Sequence, residues 1–236
     1  MTIYSILTLI FIFCAFPSPT NADELLTNAT HMADAPKWVT KGRIDRIADR
    51  IQNILEWSIR RVEVTWYKDQ ATFERQHGLG PLVLAVSRKN SNSILVGPRV
   101  TKDNFDSIFG HELVHVISYQ KYKEAIPKWL EEGLANYIAK AGSVDYAKLL
   151  AQPFPKDVRQ LTHPFNGAVV SDQVRYHYWA SQALTEMLAA KCDLRNLLRL
   201  SVGMKMENYI ETYCGIKDLN LTFQKWVKEH KKGLTK

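Results

Sequence analysis

Between residues 42 and 57 the apolar side chains Ile44, Ile47, Ala48, Ile51, Ile54 and Leu55 recur at spacings of three and four, which predicts an amphipathic helix with its charges outward. Alternation at Val62, Val64 and Trp66 predicts a strand, residues 71–77 a short helix, and residues 82–86 and 94–96 two further strands separated by the polar stretch 88–93. After Pro98 the pattern turns helical, over about 104–119, 127–140, 172–191, 194–200, 204–214 and 219–230. Residues 151–171 are polar and carry Pro153, Pro155 and Pro164, which predicts a long surface loop near whatever site exists. The fold class expected is therefore α+β, in one domain: a small N-terminal lobe over about 41–103, then a mainly helical lobe over about 104–236, with the site in the cleft between them.

Ahead of these elements, residues 3–16 form an uncharged apolar run that is short for a bilayer span and gives way to Pro17, Ser18, Pro19, Thr20, Asn21 and Ala22. This reads as a signal peptide over residues 1–22, hence a secreted or periplasmic protein with no stable membrane span after its removal; a buried N-terminal helix or retained anchor is the alternative. Cys14 follows the bulky Phe11, Ile12 and Phe13 and is not a convincing lipid-attachment site. Loss of the signal leaves Cys192 and Cys214, which an oxidising compartment allows to pair, clipping two C-terminal helices together; two buried thiols are the other outcome.

With 46% hydrophobic and 23% charged residues the chain is an ordinary globular one, which excludes disordered and collagen-like classes. The net charge of +7 is scattered, with a modest cluster at Lys225, Lys228, Lys231, Lys232 and Lys236. Such scatter marks a solvated surface, or one that draws an anionic envelope polymer. Zinc-finger spacing, RNA-binding motifs and aromatic-basic alternation are lacking, so nucleic acid is not expected as a partner.

The segment His111-Glu112-Leu113-Val114-His115 has the H-E-x-x-H pattern. At about 100° per residue, His111, Glu112 and His115 share one side of a helix while Leu113 faces the core. Two imidazoles one turn apart can converge on one tetrahedral zinc ion, with the neighbouring carboxylate in reach of a water at the metal. The next helix begins Pro127-Lys128-Trp129-Leu130-Glu131-Glu132-Gly133 and brings two acids. Glu132 shares its face with the small Ala135 and Ala139 and adjoins Gly133, whereas Glu131 is expected to point elsewhere.

In these two motifs the chain resembles the gluzincin zinc peptidases, in particular a small peptidase MA-like group whose second motif reads roughly P-x-W-L-x-E-G-x-A. The resemblance covers about residues 104–230 and implies a zincin-like fold, with His111, His115 and Glu132 as zinc ligands and Glu112 as general base. Asn136 stands where gluzincins often carry an acid against a ligating histidine; its amide oxygen can accept the same bond, or it is an ordinary polar helix residue. Tyr176-His177-Tyr178-Trp179-Ala180-Ser181 is similar to a Y-x-x-S segment of the group, which implies Tyr178 as an oxyanion donor, with Tyr176 and His177 as substitutes and a core tyrosine as the plain alternative.

The activity so implied is zinc-dependent hydrolysis of a peptide or protein, cell-wall peptide included. Met206-Glu207-Asn208 follows the metal motif where an amine-binding motif would precede it, which favours endopeptidase action. The strand at 94–96 is expected to be the edge strand that pairs with substrate. The rival is a non-catalytic envelope protein of zincin fold that acts through partner binding. His31, His77, His163 and His230 are expected to be surface or satisfied histidines. Asn28 and Asn220 fit glycosylation acceptors that matter only in a eukaryotic secretory route.

Overall fold

The structure is a computed structural model that describes residues 24–55, 60–161 and 171–232; the predicted signal peptide, the end of the first predicted helix, His163 and Pro164 lie outside them. Two short antiparallel strands, β1 (Leu25–Leu26) and β2 (Thr30–Ala33), lead into α1 (Lys41–Leu55). β3 (Val62–Trp66) then pairs in parallel with β2, Met32 opposite Val64, and with β5 (Ser93–Val96), Val64 opposite Ile94. Between them in sequence come α2 (Gln70–His77) and β4 (Ala85–Arg88), which closes the sheet antiparallel to β5, giving the order β1-β2-β3-β5-β4.

The alternation that predicted β3 is visible in its burial: Val62, Val64 and Trp66 face the core while Glu63 and Thr65 face solvent. Against that apolar face pack the buried Ile44, Ile47, Ala48, Ile51 and Leu55 of α1 and the long α3 (Phe105–Tyr122). Phe105 and Phe109 stack at 5.0 Å, and Trp38 meets Trp66 and Phe105 edge-on at 5.6 and 5.5 Å, tying the sheet to the start of α3. Behind β4 and β5, Phe73, Val83 and Leu95 form a second, smaller apolar cluster.

The helical part follows as α4 (Lys128–Ala139), α5 (Tyr146–Ala151), a 3₁₀ turn (Val158–Gln160), α6 (Ser171–Lys191), α7 (Leu194–Leu200), α8 (Met206–Thr212) and α9 (Leu219–Lys232). Helix α4 lies between α3 and α6. On the α3 side a Cβ on Gly110 would come within 3.3 Å of the Ala139 Cβ; on the α6 side a Cβ on Gly133 would stand 1.9 Å from the Ser181 carbonyl oxygen. Only glycine permits that approach, and the Ser181 hydroxyl uses it, accepting from the Gly133 N–H at 2.7 Å and donating to the Trp129 carbonyl at 3.3 Å. Arg50 of α1 donates to the Ala139 carbonyl at 2.9 Å, placing a cation at the negative end of α4. Cys192 and Cys214 are joined, with Cα atoms 5.0 Å apart, so α6 is clipped to the segment after α8. Among the described residues no helix is long and apolar enough to cross a membrane.

Three expectations are corrected. The strand predicted at 82–86 begins only at Ala85, because Arg99 donates to the carbonyls of Pro81 and Val83 (3.0 Å to the latter) and draws that stretch into a loop. The strand at 94–96 is not an edge: it runs between β3 and β4, and among the described residues the edge strands are β1 and, beside the cleft, β4. The predicted surface loop at 151–171 is in part packed inward, since Val158 and Leu161 are 1% and 2% exposed and the Val158 N–H is held by the Asn220 side chain at 2.8 Å.

Gly133→Ala tests the packing of α4 on α6. The added methyl meets backbone rather than a movable side chain, so denaturant unfolding is expected to show a loss of about 1–3 kcal/mol or more. Gly142→Ala, where a Cβ meets nothing within 4 Å, reports instead the cost of a left-handed backbone without a clash.

Candidate metal centre

Helix α3 carries His111 and His115 one turn apart on the face toward α4, and α4 returns Glu132 to them. The two Nε2 atoms are 3.1 Å apart; Glu132 Oε2 lies 3.2 Å from His111 Nε2 and Oε1 lies 3.5 Å from His115 Nε2. All three ligand atoms fall within 4.8 Å of one another, and His115 and Glu132 are each 5% exposed. Among the described residues this is the one group of three such side chains with that geometry.

The donor set fits a cation. Asn136, one turn beyond Glu132, sets its Oδ1 2.8 Å from His111 Nδ1, so that nitrogen carries the proton and donates it, leaving the Nε2 lone pair to face the centre. His111 Nε2 and the Glu132 carboxylate are acceptors, and with His115 Nε2 also turned to this point a proton or a metal ion must lie among them. Burial alone would keep His111 neutral, but Glu132 above all, then Glu112 and the Asn136 amide, lift it to about 9. Burial would likewise raise Glu132, but His115 and His111 hold its carboxyl well below the ordinary range. A carboxylate that stays ionised between two imidazoles in a dry site meets the needs of a divalent ion such as zinc.

Glu131 does not point away from this centre. Its Oε1 lies 3.6 Å from His115 Nδ1, a buried nitrogen without a hydrogen-bond partner, and its carboxylate is held by Lys89 from the β4–β5 turn and by Lys128 at 3.1 Å. Helix α4 thus supplies a group behind each histidine, Asn136 behind His111 and Glu131 behind His115. The helical wheel could not show the second, because Lys89 comes from the other lobe.

Glu112 turns toward β4, where the Ser87 backbone N–H donates to its Oε2 at 2.7 Å. It borders a cleft of about 760 Å³ whose walls are β4 and the loop before it on one side and α6 on the other, with α3 and α4 as floor. Tyr178 lines that cleft with its ring 6.2 Å from that of His111, and burial, with the charges of Glu132 and Glu112, raises its hydroxyl so that it stays a proton donor. Tyr176 instead donates to the Pro153 carbonyl at 3.1 Å, burial lifting it to about 12, and its ring lies 5.8 Å from His177, which burial lowers.

Residues singled out on weaker grounds have structural duties. Glu207 accepts from the Trp129 indole at 3.1 Å and so buttresses α4. His31 pairs with Glu63 at 2.7 Å, His77 accepts from the Leu79 N–H at 3.0 Å, and the His230 ring lies tilted against that of Trp226 at 3.8 Å.

The groups behind the two histidines predict that Glu131→Ala and Asn136→Ala each weaken zinc binding by about 10–100-fold in competition with a chromophoric chelator, without removing it. Affinity unchanged in Glu131→Ala would show that the 3.6 Å contact does not orient the ligand.

No protein-family profile and no curated protein sequence matches the chain. Among solved structures it is similar to an M1 zinc metallopeptidase from Deinococcus radiodurans, solved as a point mutant, at a TM-score of 0.52 and 14% identity. That match covers 84% of this chain and 47% of the other, so this chain spans about half the length of that neighbour. The small mixed sheet followed by a mainly helical part is a zincin-like α+β fold.

Proposed function

We propose that the chain is a zinc-dependent peptidase of gluzincin type, and an endopeptidase. The observation that carries this is the convergence of His111, His115 and Glu132 at one point, with Glu112 beside them on a cleft walled by the unpaired edge of β4. The fold shared with a zinc metallopeptidase supports it. Zinc held by these three side chains would supply a Lewis acid for the peptide carbonyl and lower the pKa of a water nearby.

The chain's own residues do the rest. An extended substrate pairs with β4 through backbone groups on its free edge. Glu112, oriented through Oε2 by the Ser87 N–H, takes a proton from the attacking water at its other oxygen and passes it to the leaving nitrogen. Tyr178, kept protonated by its surroundings, donates to the oxygen on which charge develops. Asn136 holds the His111 imidazole in register, and Glu131 faces the outer nitrogen of His115 at 3.6 Å. The cleft continues along β4 on both sides of Ser87, toward Leu79 and Leu82 one way and Lys89 and Lys128 the other, which suits cleavage inside a chain. Export to an oxidising compartment, proposed from residues 1–22, accords with the Cys192–Cys214 bridge.

Protein from Asp23 onward is expected to bind about one zinc per chain and to cleave internal bonds of unfolded proteins. Glu112→Gln should keep the metal and lose turnover, and Tyr178→Phe should lower kcat by about 10²-fold while leaving zinc content unchanged. Folded wild-type protein that takes up no zinc refutes the proposal; zinc without any peptide turnover leaves a metal-binding protein that is not a peptidase.

A further inference from the structure

Away from the metal cluster the cleft changes character along β4. Toward Lys89, Lys128 and Glu131 its lining is charged. In the other direction it is apolar: Leu79 and Leu82, 51% and 61% exposed, stand on its rim, and Val83 and Leu84 continue the wall toward Ala85. Exposed apolar side chains are common on a protein surface, and what distinguishes these two is their place on the rim of the cleft, in line with β4.

The loop that presents them is firmly built. Gly78 and Gly80 turn it at φ 68° and 91°, backbone that side chains rarely adopt. The Leu79 N–H is tied to His77 Nδ1, and the Arg99 guanidinium donates to the carbonyls of Pro81 and Val83, one on each side of Leu82. Val83 is anchored below in the cluster with Phe73 and Leu95. The two leucines are therefore fixed by their neighbours' backbone bonds.

The edge of β4 says what lies against them. Leu84 accepts from the Gly97 N–H, so its carbonyl faces β5, whereas the Ser87 N–H points off the sheet to Glu112. By antiparallel alternation, the N–H and C=O of Ala85 and the C=O of Ser87 also face the cleft, free to pair with an added strand. A polypeptide so paired and passing Glu112 runs on to the leucines. Leu82 comes five residues before Ser87 in sequence and just ahead of the strand, so an added strand that runs past the start of β4 reaches the leucines about three to five of its own residues from Glu112.

We propose that Leu79 and Leu82 form a distal subsite for a bulky apolar side chain of an extended polypeptide, three to five residues from the bond that is cut. This rests on the peptidase reading above and narrows its substrate to unfolded or extended segments with an aliphatic or aromatic residue at that remove. Peptides too short to reach the leucines gain nothing from them.

The test is digestion of a mixed peptide library by the zinc-loaded wild type and by the Leu79→Ser/Leu82→Ser double variant, with cleavage sites read by mass spectrometry. Wild type should favour Leu, Ile, Phe or Met at one position three to five residues from the cut by about 10-fold or more in kcat/KM. The double variant should lose that preference while cleaving tetrapeptides at the wild-type rate. No distal apolar preference, or one that survives the double substitution, overturns the subsite. If wild type cuts nothing, the peptidase reading fails by itself. The subsite is then decided by fluorescence anisotropy with labelled nonapeptides in which a single Phe is moved along a Ser/Thr sequence, and binding that ignores the Phe position or the double substitution overturns it. Sedimentation closes the alternative: a wild-type dimer that the double variant turns into monomer would show that the leucines meet a second copy of the chain.

Discussion

The 2.7 Å hydrogen bond from the Gly133 N–H to the Ser181 hydroxyl marks the contact on which the candidate site depends. That hydroxyl sits on the i, i−4 pair of Gly133 and Trp129, accepting from one and donating to the other, so α4 cannot slide on α6 without leaving buried polar groups unpaired. Thr185 adds to it by donating to the Ser181 carbonyl at 3.1 Å. With α4 fixed from behind, and its other side near Gly110 of α3, the residue before Gly133 is carried against the two histidines. The backbone contact thus places the carboxylate.

Burying that carboxylate has a cost that the histidines repay. An isolated charge at 5% exposure would be disfavoured by several kcal/mol. His115 and His111 reverse the effect on Glu132, and Glu132 in turn raises the His111 pKa against the burial that lowers it. On the proposed reading, a cation enclosed by the cluster would balance the buried carboxylate, which would couple metal occupancy to the packing of α3 on α4. Asn136 and Glu131 complete this arrangement from the same helix, at the outer nitrogens.

The two lobes meet in the cleft through polar links as well as apolar packing. Ser87 of β4 holds Glu112 of α3, and Lys89, just past the end of β4, holds Glu131 of α4. Any shift of the sheet edge relative to the helices would disturb both the proposed base and the group behind His115. Because these links flank the free edge of β4, a strand added there would bear directly on the residues beside the metal centre.

By itself the sequence determined the local elements and the candidate ligand set. The helical period over α1 and the alternation in β3 are strong because one face of each is buried, whereas α3 is buried on most sides and reads as a long apolar run. His111, Glu112 and His115 are legible together because a single helix turn relates them, and the small residues after Glu132 mark a close-packed face. β1 and β2 could not be read, since two to four residues such as Thr30-His31-Met32-Ala33 carry no period and gain their place only by pairing with β3. Which strand lies at the sheet edge was decided by the order of pairing, and the bend at Leu82 by a guanidinium from Arg99, both long-range in sequence. In the sequence Glu132 stands out from Glu131 by the small residues on its face and by the resemblance. Tertiary structure decided that Glu131 also stands at this centre, behind His115 and paired with Lys89, because only the folded chain sets the charges each carboxylate meets.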